Sequence, residues 1–492
     1  VPGMLHAAVA RPPVLGGQVK GFDATAAGRI PGVRKVVQVP SGVAVIADSS
    51  WSAFRGRDAL AATFEPGPNG TLDTAALARR LAEAKVASEP MRSAGDVERA
   101  LAGAARRVEA VYTLPLLAHA TMEPMNCVAA VGNGKVELWA PTQAPTWARS
   151  EVARALGVDE SAVTVHVTFL GGGFGRRAMP DFAVEAAEVS RAAGAPVQVV
   201  WTREDDLRHD FYRPPGRNEL RAGLDAKGRL LAWHHRVRTP SISQQLGRTP
   251  GGGAAPDVGE GAADVPYAIP AIRVDQAAPE AGVPIGWWRS VYSSQNAFAE
   301  EVFMDELARA AGKDPLAFRL AHLPRSNRLR GVLQLAADKA GWGGSVAKGH
   351  GLGIACHASF GSYVAHVVEV SVRNGRIAVH RVVCAVDCGT ALNPDSVEHQ
   401  AEGSVVYGLS AALRGEITVK GGAVVQGNFD GYEPLRMSEM PKVEVHLVAS
   451  RDEPGGMGEP ALPPIAPAVA NAVFAATGER LRSLPLRPSG AP

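Results

Sequence analysis

Cysteine is scarce in this chain of 492 residues: Cys127, Cys356, Cys384 and Cys388 are all it has. Four are too few for a disulfide framework. With no CxxC pair and no ferredoxin-like run, the chain holds no iron–sulfur cluster of its own. Cys384 and Cys388 fall in VVCAVDCG, a strand-like stretch that points both the same way, and read as buried thiols. Apolar runs of membrane-spanning length are missing too, as is a signal peptide. The chain opens on Val1, which reads as the start of a processed or expressed fragment. An excess of one charge is also lacking. Lys+Arg 51 against Asp+Glu 49 leaves a net +2, which provides no phosphate-tracking surface and no reason to expect nucleic acid as a partner. HExxH, GxSxG and GxxxxGK[ST] are absent, and with them the usual signatures of a zinc protease, a serine-hydrolase elbow and a P-loop.

What is abundant is turn chemistry. The chain has 54 glycines and 36 prolines, 46% hydrophobic and 20% charged residues. This composition fits an ordered globular protein of two to four domains with many fixed connections. GVAVIAD reads as a buried strand, and SSWSAFRGRDAL as a helix capped by Ser49 or Ser50. FEPGPNGT marks a boundary near residue 72, and residues 73–108 read as a mostly helical connection. KVELWAP and AVTVHVTF are strands, AMPDFAVEAAEVSRAAG is a helix ending on Gly194, and DAKG turns a hairpin. Ala299, Val302, Phe303, Leu307 and Ala310 repeat at helical spacing. Asp314 and Pro315 open the next helix as cap and first-turn proline. Asn374-Gly375 joins two long strands. Residues 241 to 265, centred on GGGAA, read as an excursion from the core. The adjacent His234 and His235 go to opposite faces of a strand and read as satisfied histidines. The fold class is α+β.

Two stretches carry chemistry. In VTVHVTFLGGGFGRRAMPDFAVEAAEV a strand runs into glycines, and a helix follows. Backbone amides in such a turn suit an anion or an oxo group. Gly173, Gly175 and Ala178 also satisfy the dinucleotide pattern GxGxxA. However, Phe174, Arg176 and Arg177 are bulky where a pyrophosphate would approach, and no acid follows about twenty residues on. The second stretch is PGGMGEPALPP, where Glu459 stands between glycines, which allow close approach, and prolines, which stiffen. Alone, Glu459 would read as a solvated loop acid.

Taken in order, HATMEPMNC (119 to 127), GGGFGRR (171 to 177), GWWRSVYSSQNAFAEEVFMDELA (286 to 308), VDCGTALNPDSVEHQAEGSVVYGL (386 to 409), GNFDGYEPLRMSEMPKVEVHLV (427 to 448) and GGMGEPALPP (455 to 464) resemble the molybdenum-binding large subunit of the xanthine oxidase/aldehyde oxidase family. The branch they most resemble is the isoquinoline 1-oxidoreductase beta subunits. The resemblance implies an N-terminal α/β hammerhead domain (1–72), a connecting segment (73–108) and two large mixed α/β molybdenum-cofactor-binding domains (109–325 and 326–492). It implies a hydroxylase that oxidises an N-heteroaromatic compound or an aldehyde with oxygen from water. Glu459 would be the general base beside the metal. Gly172, Gly173, Phe174 and Gly175 would line the metal's apical side. Arg289 would lie next to substrate or cofactor, Gln400 would contact the pterin dithiolene, and Gly458 would border the cofactor. No protein side chain would bind the metal directly. Trp287, Trp288 and Tyr292 would wall a substrate pocket, with plain core packing as the alternative.

The resemblance has gaps. Where many relatives place a glutamine near the metal this chain has Leu117, so His119 and Glu123 read as structural. The EMGQG-type segment and the Ser/Thr-rich segment that wrap the cofactor are not found. A second chain, cleaved from a precursor or separately encoded, would supply them. A [2Fe–2S] small subunit would take the electrons, with a cytochrome c as a further acceptor. The pterin would be molybdopterin cytosine dinucleotide. A soluble protein of the periplasm is favoured over the cytoplasm. The alternatives are an aldehyde dehydrogenase of the same family, a non-catalytic structural half of such a complex, and a nicotinamide-dependent dehydrogenase.

Overall fold

The computed structural model describes residues 1–87, 89–249 and 255–489. Residues 250–254, most of the GGGAA centre of the expected excursion, lie outside them.

Three larger sheets organise the described residues. The first has seven strands in the order Val163–Val167, Lys135–Ala140, Asn126–Gly132, Val197–Val200, Leu5–Ala10, Gly42–Ala47 and Val33–Val39. Leu5–Ala10 pairs in parallel with Val197–Val200. The N-terminal strands therefore share a sheet with residues far beyond position 72. Gly42–Ala47 is buried at every residue, as expected of a strand covered on both faces. The helix after it, Ser50–Asp58, begins as expected: Ser49 is its N-cap, its side chain accepting from the Ser52 amide.

The second sheet runs Arg92–Ala94, Ala271–Ala277, Leu230–Arg238, Gly216–Leu224 and Arg106–Leu114. Its edge strand Arg92–Ala94 comes from the segment expected to be mostly helical, where among the described residues only Thr74–Glu83 and Val97–Ala102 form helices. Local composition favoured helix there, but the open edge of Ala271–Ala277 recruits three residues as a strand. His234 and His235 are both buried and partnered, with Asp275 at 2.7 Å and Asn218 at 2.8 Å.

The third sheet, His350–Ser359, Ser362–Arg373, Arg376–Asp387 and Lys442–Leu447, contains the expected hairpin. Asn374 (φ 50°) and Gly375 (φ 70°) are both left-handed, the requirement of a two-residue turn that matches strand twist. Cys384 and Cys388 are buried, as are the other two thiols.

Helix Ser293–Ala310 joins the second and third sheets at the centre of the main core. It is buried nearly all round, although it carries carboxylates. Glu301 is paired with Arg319, Asp305 with Arg480 and Glu306 with Arg482, because buried charge is tolerated only when partnered. The apolar spacing of Ala299, Val302, Phe303 and Leu307 shows one face of it; the ion pairs account for three of the buried carboxylates, while burial, then Glu301, pushes the pKa of the Glu300 carboxyl well up. Among the described residues, no helix is long and apolar enough to cross a membrane.

Candidate active site

The N-terminal end of that central helix is the hub of the site. Residues 286–293 arrive in an irregular turn, with Ser290 (φ 73°) and Val291 (φ 47°) both left-handed. Such a conformation is disfavoured for residues with a Cβ and is held here by surrounding bonds. The Ser290 amide donates to Glu459 Oε1 at 2.9 Å, and Ser290 Oγ donates to the Glu459 carbonyl at 2.7 Å. Next to it, Arg289 Nε donates to the Gly458 carbonyl at 2.7 Å. Its Nη2 donates to Gln400 Oε1 at 2.9 Å and to the Gln400 carbonyl at 3.2 Å. Arg289, Gln400, Gly458 and Glu459, far apart in sequence, thus form one bonded group. Burial pulls the Arg289 guanidinium below its usual value, against the opposing pull of Tyr407 and Glu459.

The glycine loop lies on the other side of the same turn. A Cβ on Gly175 would sit 1.5 Å from the Trp287 carbonyl oxygen, and its φ is 107°. Only glycine fits at that crossing. Phe174, itself at φ 53°, stacks on Tyr407 at 4.3 Å, and Tyr407 stacks on Trp288 at 4.7 Å. The loop is also pinned from outside. Gly171 N donates to Glu123 Oε2 and Gly175 N to Gln143 Oε1. Arg177 is fully buried; its Nη2 reaches Glu123 Oε2 at 2.7 Å and its Nε reaches the Gly172 carbonyl. Among the described residues, no hydrogen bond is made by the amides of Gly172, Gly173 or Phe174. Gly173 is buried and Gly172 and Phe174 are half-buried; a buried amide is normally paired, so the Gly173 amide points to a ligand.

The loop runs first into a short 3₁₀ turn, Arg176–Ala178, before the α-helix that follows it. Helix Asp181–Ala193 starts six residues past Gly175, and Arg176 bonds its first carboxylate, Asp181. The buried guanidinium groups occupy the space where a dinucleotide would meet a helix start, so the GxGxxA reading fails on geometry.

His119 and Glu123, read as structural from the sequence, are both engaged in fixed bonds. His119 bridges Asp210 (Nδ1, 2.9 Å) and the Trp287 carbonyl (Nε2, 2.9 Å), holding the turn, while Glu123 holds the loop. Leu117 is buried against Trp288, Ala411 and Leu462. The three aromatics differ in placement. Tyr292 is buried, its hydroxyl donating to the Pro240 carbonyl and accepting from the Ile242 amide. Trp288 is buried in the stack. Trp287 is half-buried against Trp147, with the Arg248 guanidinium 5.0 Å from both rings.

Sequence reasoning missed Gln143, Tyr407 and Glu260. Gln143 has no local mark, and Tyr407, although inside the stretch 386–409, serves the glycine loop more than two hundred residues away. Glu260 lies in the segment read as an excursion, yet it returns to the start of the central helix, 3.4 Å from Ser293 Oγ. Burial first, then the Glu459 carboxylate, raises its pKa to about 7. A cleft of about 880 Å³ between residues 240–246 and 278–285 contains none of the bonded group. The group itself is open on one side, where Gln400, Gly458 and Gly171 are exposed.

The comparisons with known proteins agree on a class. A molybdopterin cofactor-binding domain model matches residues 81–323, and a second matches residues 320–441. The chain belongs to the xanthine oxidase family of molybdenum-binding subunits. It is 33% identical to the isoquinoline 1-oxidoreductase subunit beta of Brevundimonas diminuta, over 99% of this chain and 65% of that protein. It is 31% identical to a membrane-bound aldehyde dehydrogenase (pyrroloquinoline-quinone) of Gluconacetobacter polyoxogenes, over 99% of this chain and 69% of that protein. The chain thus spans about two thirds of each relative's length. Its fold matches that of quinoline 2-oxidoreductase from Pseudomonas putida 86 with a TM-score of 0.82 at 17% identity, over 99% of this chain and 93% of that one.

Proposed function

We propose that this chain is the catalytic portion of a molybdenum hydroxylase that oxidises an N-heteroaromatic ring or an aldehyde and takes its oxygen from water. The observation that carries the reading is the bonded group of Arg289, Gln400, Gly458 and Glu459 on one side of a strained turn, with the unpaired amides of Gly172, Gly173 and Phe174 on the other. The residues fit the cofactor. Three free amides suit oxo-type acceptors. Gln400 uses its oxygen on Arg289 and keeps its amide nitrogen to donate, and the open side of the group gives a bulky pterin access.

When bound, the cofactor supplies a Lewis-acidic metal that activates water and accepts two electrons. The protein's residues supply the rest. Glu459 is the proton acceptor, aimed by Ser290, whose amide bonds one carboxylate oxygen and leaves the other free. Arg289 holds the backbone of Gly458, so the residue before the base cannot drift. The Phe174–Tyr407–Trp288 stack stiffens the glycine loop opposite. Trp287 is the half-exposed aromatic that reads best as a substrate contact, whereas Trp288 is packed in the stack and Tyr292 is hydrogen-bonded inside.

The exposed side also supports a second polypeptide. Phe169 is fully exposed, and Val167, Leu170 and Met122 near it are exposed as well. An apolar ridge beside an open cofactor cradle suits a covering chain, here one bearing the MGQG-type segment. A [2Fe–2S] subunit and, beyond it, a cytochrome c take the electrons, and the pterin is the cytosine dinucleotide form. The quinone in the aldehyde dehydrogenase's name belongs to that protein, and metal analysis separates the two cofactors. The test is elemental and intact-mass analysis of the native complex, expected to give molybdenum near one per chain and a further MGQG-bearing polypeptide. Glu459→Gln should keep the metal and lose turnover by about 10²-fold or more. A fully assembled complex without molybdenum, from a host that makes the cofactor, refutes the reading.

A further inference from the structure

A cation without an anion stands beside the glycine loop. Arg248 is exposed, and among the described residues its guanidinium makes no ion pair. What holds it is aromatic. The guanidinium lies 5.0 Å from the ring of Trp147 and 5.0 Å from that of Trp287, and the two half-buried rings meet edge to face at 6.1 Å. Each member is placed by bonds of its own. Trp147 stands near the start of helix Pro145–Leu156, where its indole N–H donates to Glu151 at 3.3 Å. Gln143, just ahead of that helix, accepts from the Gly175 amide at 3.1 Å, which ties the helix start to the glycine loop. The Trp287 carbonyl accepts from His119 Nε2 at 2.9 Å. Arg248 follows the short helix Ile242–Gln245, and its amide donates to the Ser243 carbonyl at 2.8 Å. Gln245 exchanges two bonds with the backbone of Ile285, at 2.8 and 2.9 Å, two residues before Trp287. Segments far apart in the chain are thus bonded so that one guanidinium rests on two tryptophans at the site.

We propose that the substrate of this site is an aromatic ring that bears a carboxylate, and that Arg248 selects it: the acid group pairs with the guanidinium while the ring lies against the tryptophan pair. The inference rests on the molybdenum-hydroxylase reading, in which Trp287 is a substrate contact. A guanidinium packed on aromatic rings keeps N–H groups for an acceptor, and its fork matches the two oxygens of a carboxylate. The neighbouring charges leave that role to Arg248. Glu151, the carboxylate on the helix of Trp147, is paired with Arg154. Arg289, the other cation of the site, is committed to Gly458 and Gln400.

The arrangement discriminates among the substrates open to such an enzyme. An aliphatic aldehyde uses neither the rings nor the cation. A neutral heteroaromatic ring uses the tryptophans alone, and a ring carboxylate uses both. The selection adds no bond-making step; it orients the ring and retains it. A phosphate of the pterin is the other anion that would suit a guanidinium here, and the two are separable by experiment.

The test compares matched pairs on the native complex: quinoline with the quinoline carboxylates, and pyridine with the pyridine carboxylates. In the parent, kcat/KM for a ring carboxylate should exceed that for its neutral ring. In Arg248→Gln that ratio should fall about 10–100-fold, the worth of one charge-assisted bond. The fall should come through KM rather than kcat, and Arg248→Lys should restore part of it. A purely packing role would lower both members of a pair together, and an unchanged ratio overturns the proposal. Loss of molybdenum from the purified Arg248→Gln complex would assign the cation to the pterin phosphate and overturn it as well. Binding is read apart from turnover by ligand-observed NMR, in which the carboxylates should bind the parent complex about tenfold or more tighter than Arg248→Gln. Equal binding refutes the selection. A complex without molybdenum would defeat the functional reading but leave the binding comparison to be read, so the two failures are distinguishable.

Discussion

Asp210 ties the glycine loop to the turn that carries Arg289 and Ser290, and its removal should be costly. It is 2% exposed. Oδ2 accepts from the His119 amide at 2.6 Å, and Oδ1 accepts from His119 Nδ1 at 2.9 Å and from the Phe211 amide at 2.7 Å; Arg176 Nε lies 3.1 Å away. Breaking a buried charge pair costs about 3–5 kcal/mol when the remaining ion is stranded. Two features temper that figure. Arg176 keeps both bonds to Asp181. Asp206, whose pKa is raised to about 6 by burial and then by the Asp210 charge, gains when that charge goes. Its whole shift corresponds to roughly 3 kcal/mol, and Asp210 is the lesser cause, so the relief is about 1 kcal/mol. The net cost of Asp210→Ala is therefore about 2–4 kcal/mol. For a cooperative unit of about 200 residues this lowers the melting temperature by about 4–16 °C. The assay is differential scanning calorimetry at pH 7 and at low pH. Asp210's pKa is held below the usual carboxylate value by His119 and Arg176, against burial. Its stabilisation is thus present above the unfolded-state value and is lost as pH falls through the folded one, so the deficit of the variant should shrink in acid. A shift under about 2 °C at pH 7, or a deficit that grows in acid, would refute the reasoning.

Gly175→Ala should disorder the loop rather than merely strain it, because the new methyl overlaps the Trp287 carbonyl; hydrogen exchange across residues 171–178 should rise at least tenfold. Arg289→Lys keeps the charge but cannot reach Gly458 and Gln400 together. Loss of one charge-assisted bond, about 1.5–3 kcal/mol, should appear as weakened cofactor retention after gel filtration, with the fold intact by circular dichroism. Glu260→Gln should be more thermostable than the parent at pH 8 and equal to it at pH 5. The raised folded pKa means that the parent loses stability as pH climbs from about 4.5 to about 7, and the amide escapes that loss. A variant less stable at pH 8 than at pH 5 relative to the parent would contradict the sign.

Local elements were readable wherever a residue acts on its own neighbourhood. Ser49 caps its helix, Asp314 caps the one begun by Pro315, Gly194 ends a third in a left-handed conformation, and Asn374-Gly375 turns its hairpin. Such signals lie within four residues of their effect. Arg92–Ala94 went the other way, because strand pairing is decided by the open edge it meets and not by its own composition. The GxGxxA spacing was likewise ambiguous as text. The bulk of Arg176 and Arg177, buried on Asp181 and Glu123, settled it.

The site divides along the same line. From sequence alone, Glu459, Arg289 and Gln400 could be named only through the resemblance of their motifs to the molybdenum-binding family, whereas the glycine loop announced itself as a strand running into glycines. Tertiary structure alone decided that Arg289 bonds both Gly458 and Gln400, that Ser290 aims Glu459, and that Glu260 returns from a featureless segment to the start of the central helix. Hydrogen bonds and charge fall off within a few ångströms, whereas Arg289 and Ser290 are separated from these partners by more than a hundred residues of chain. A linear sequence records which groups exist, and only packing determines which of them come close enough to change one another's charge.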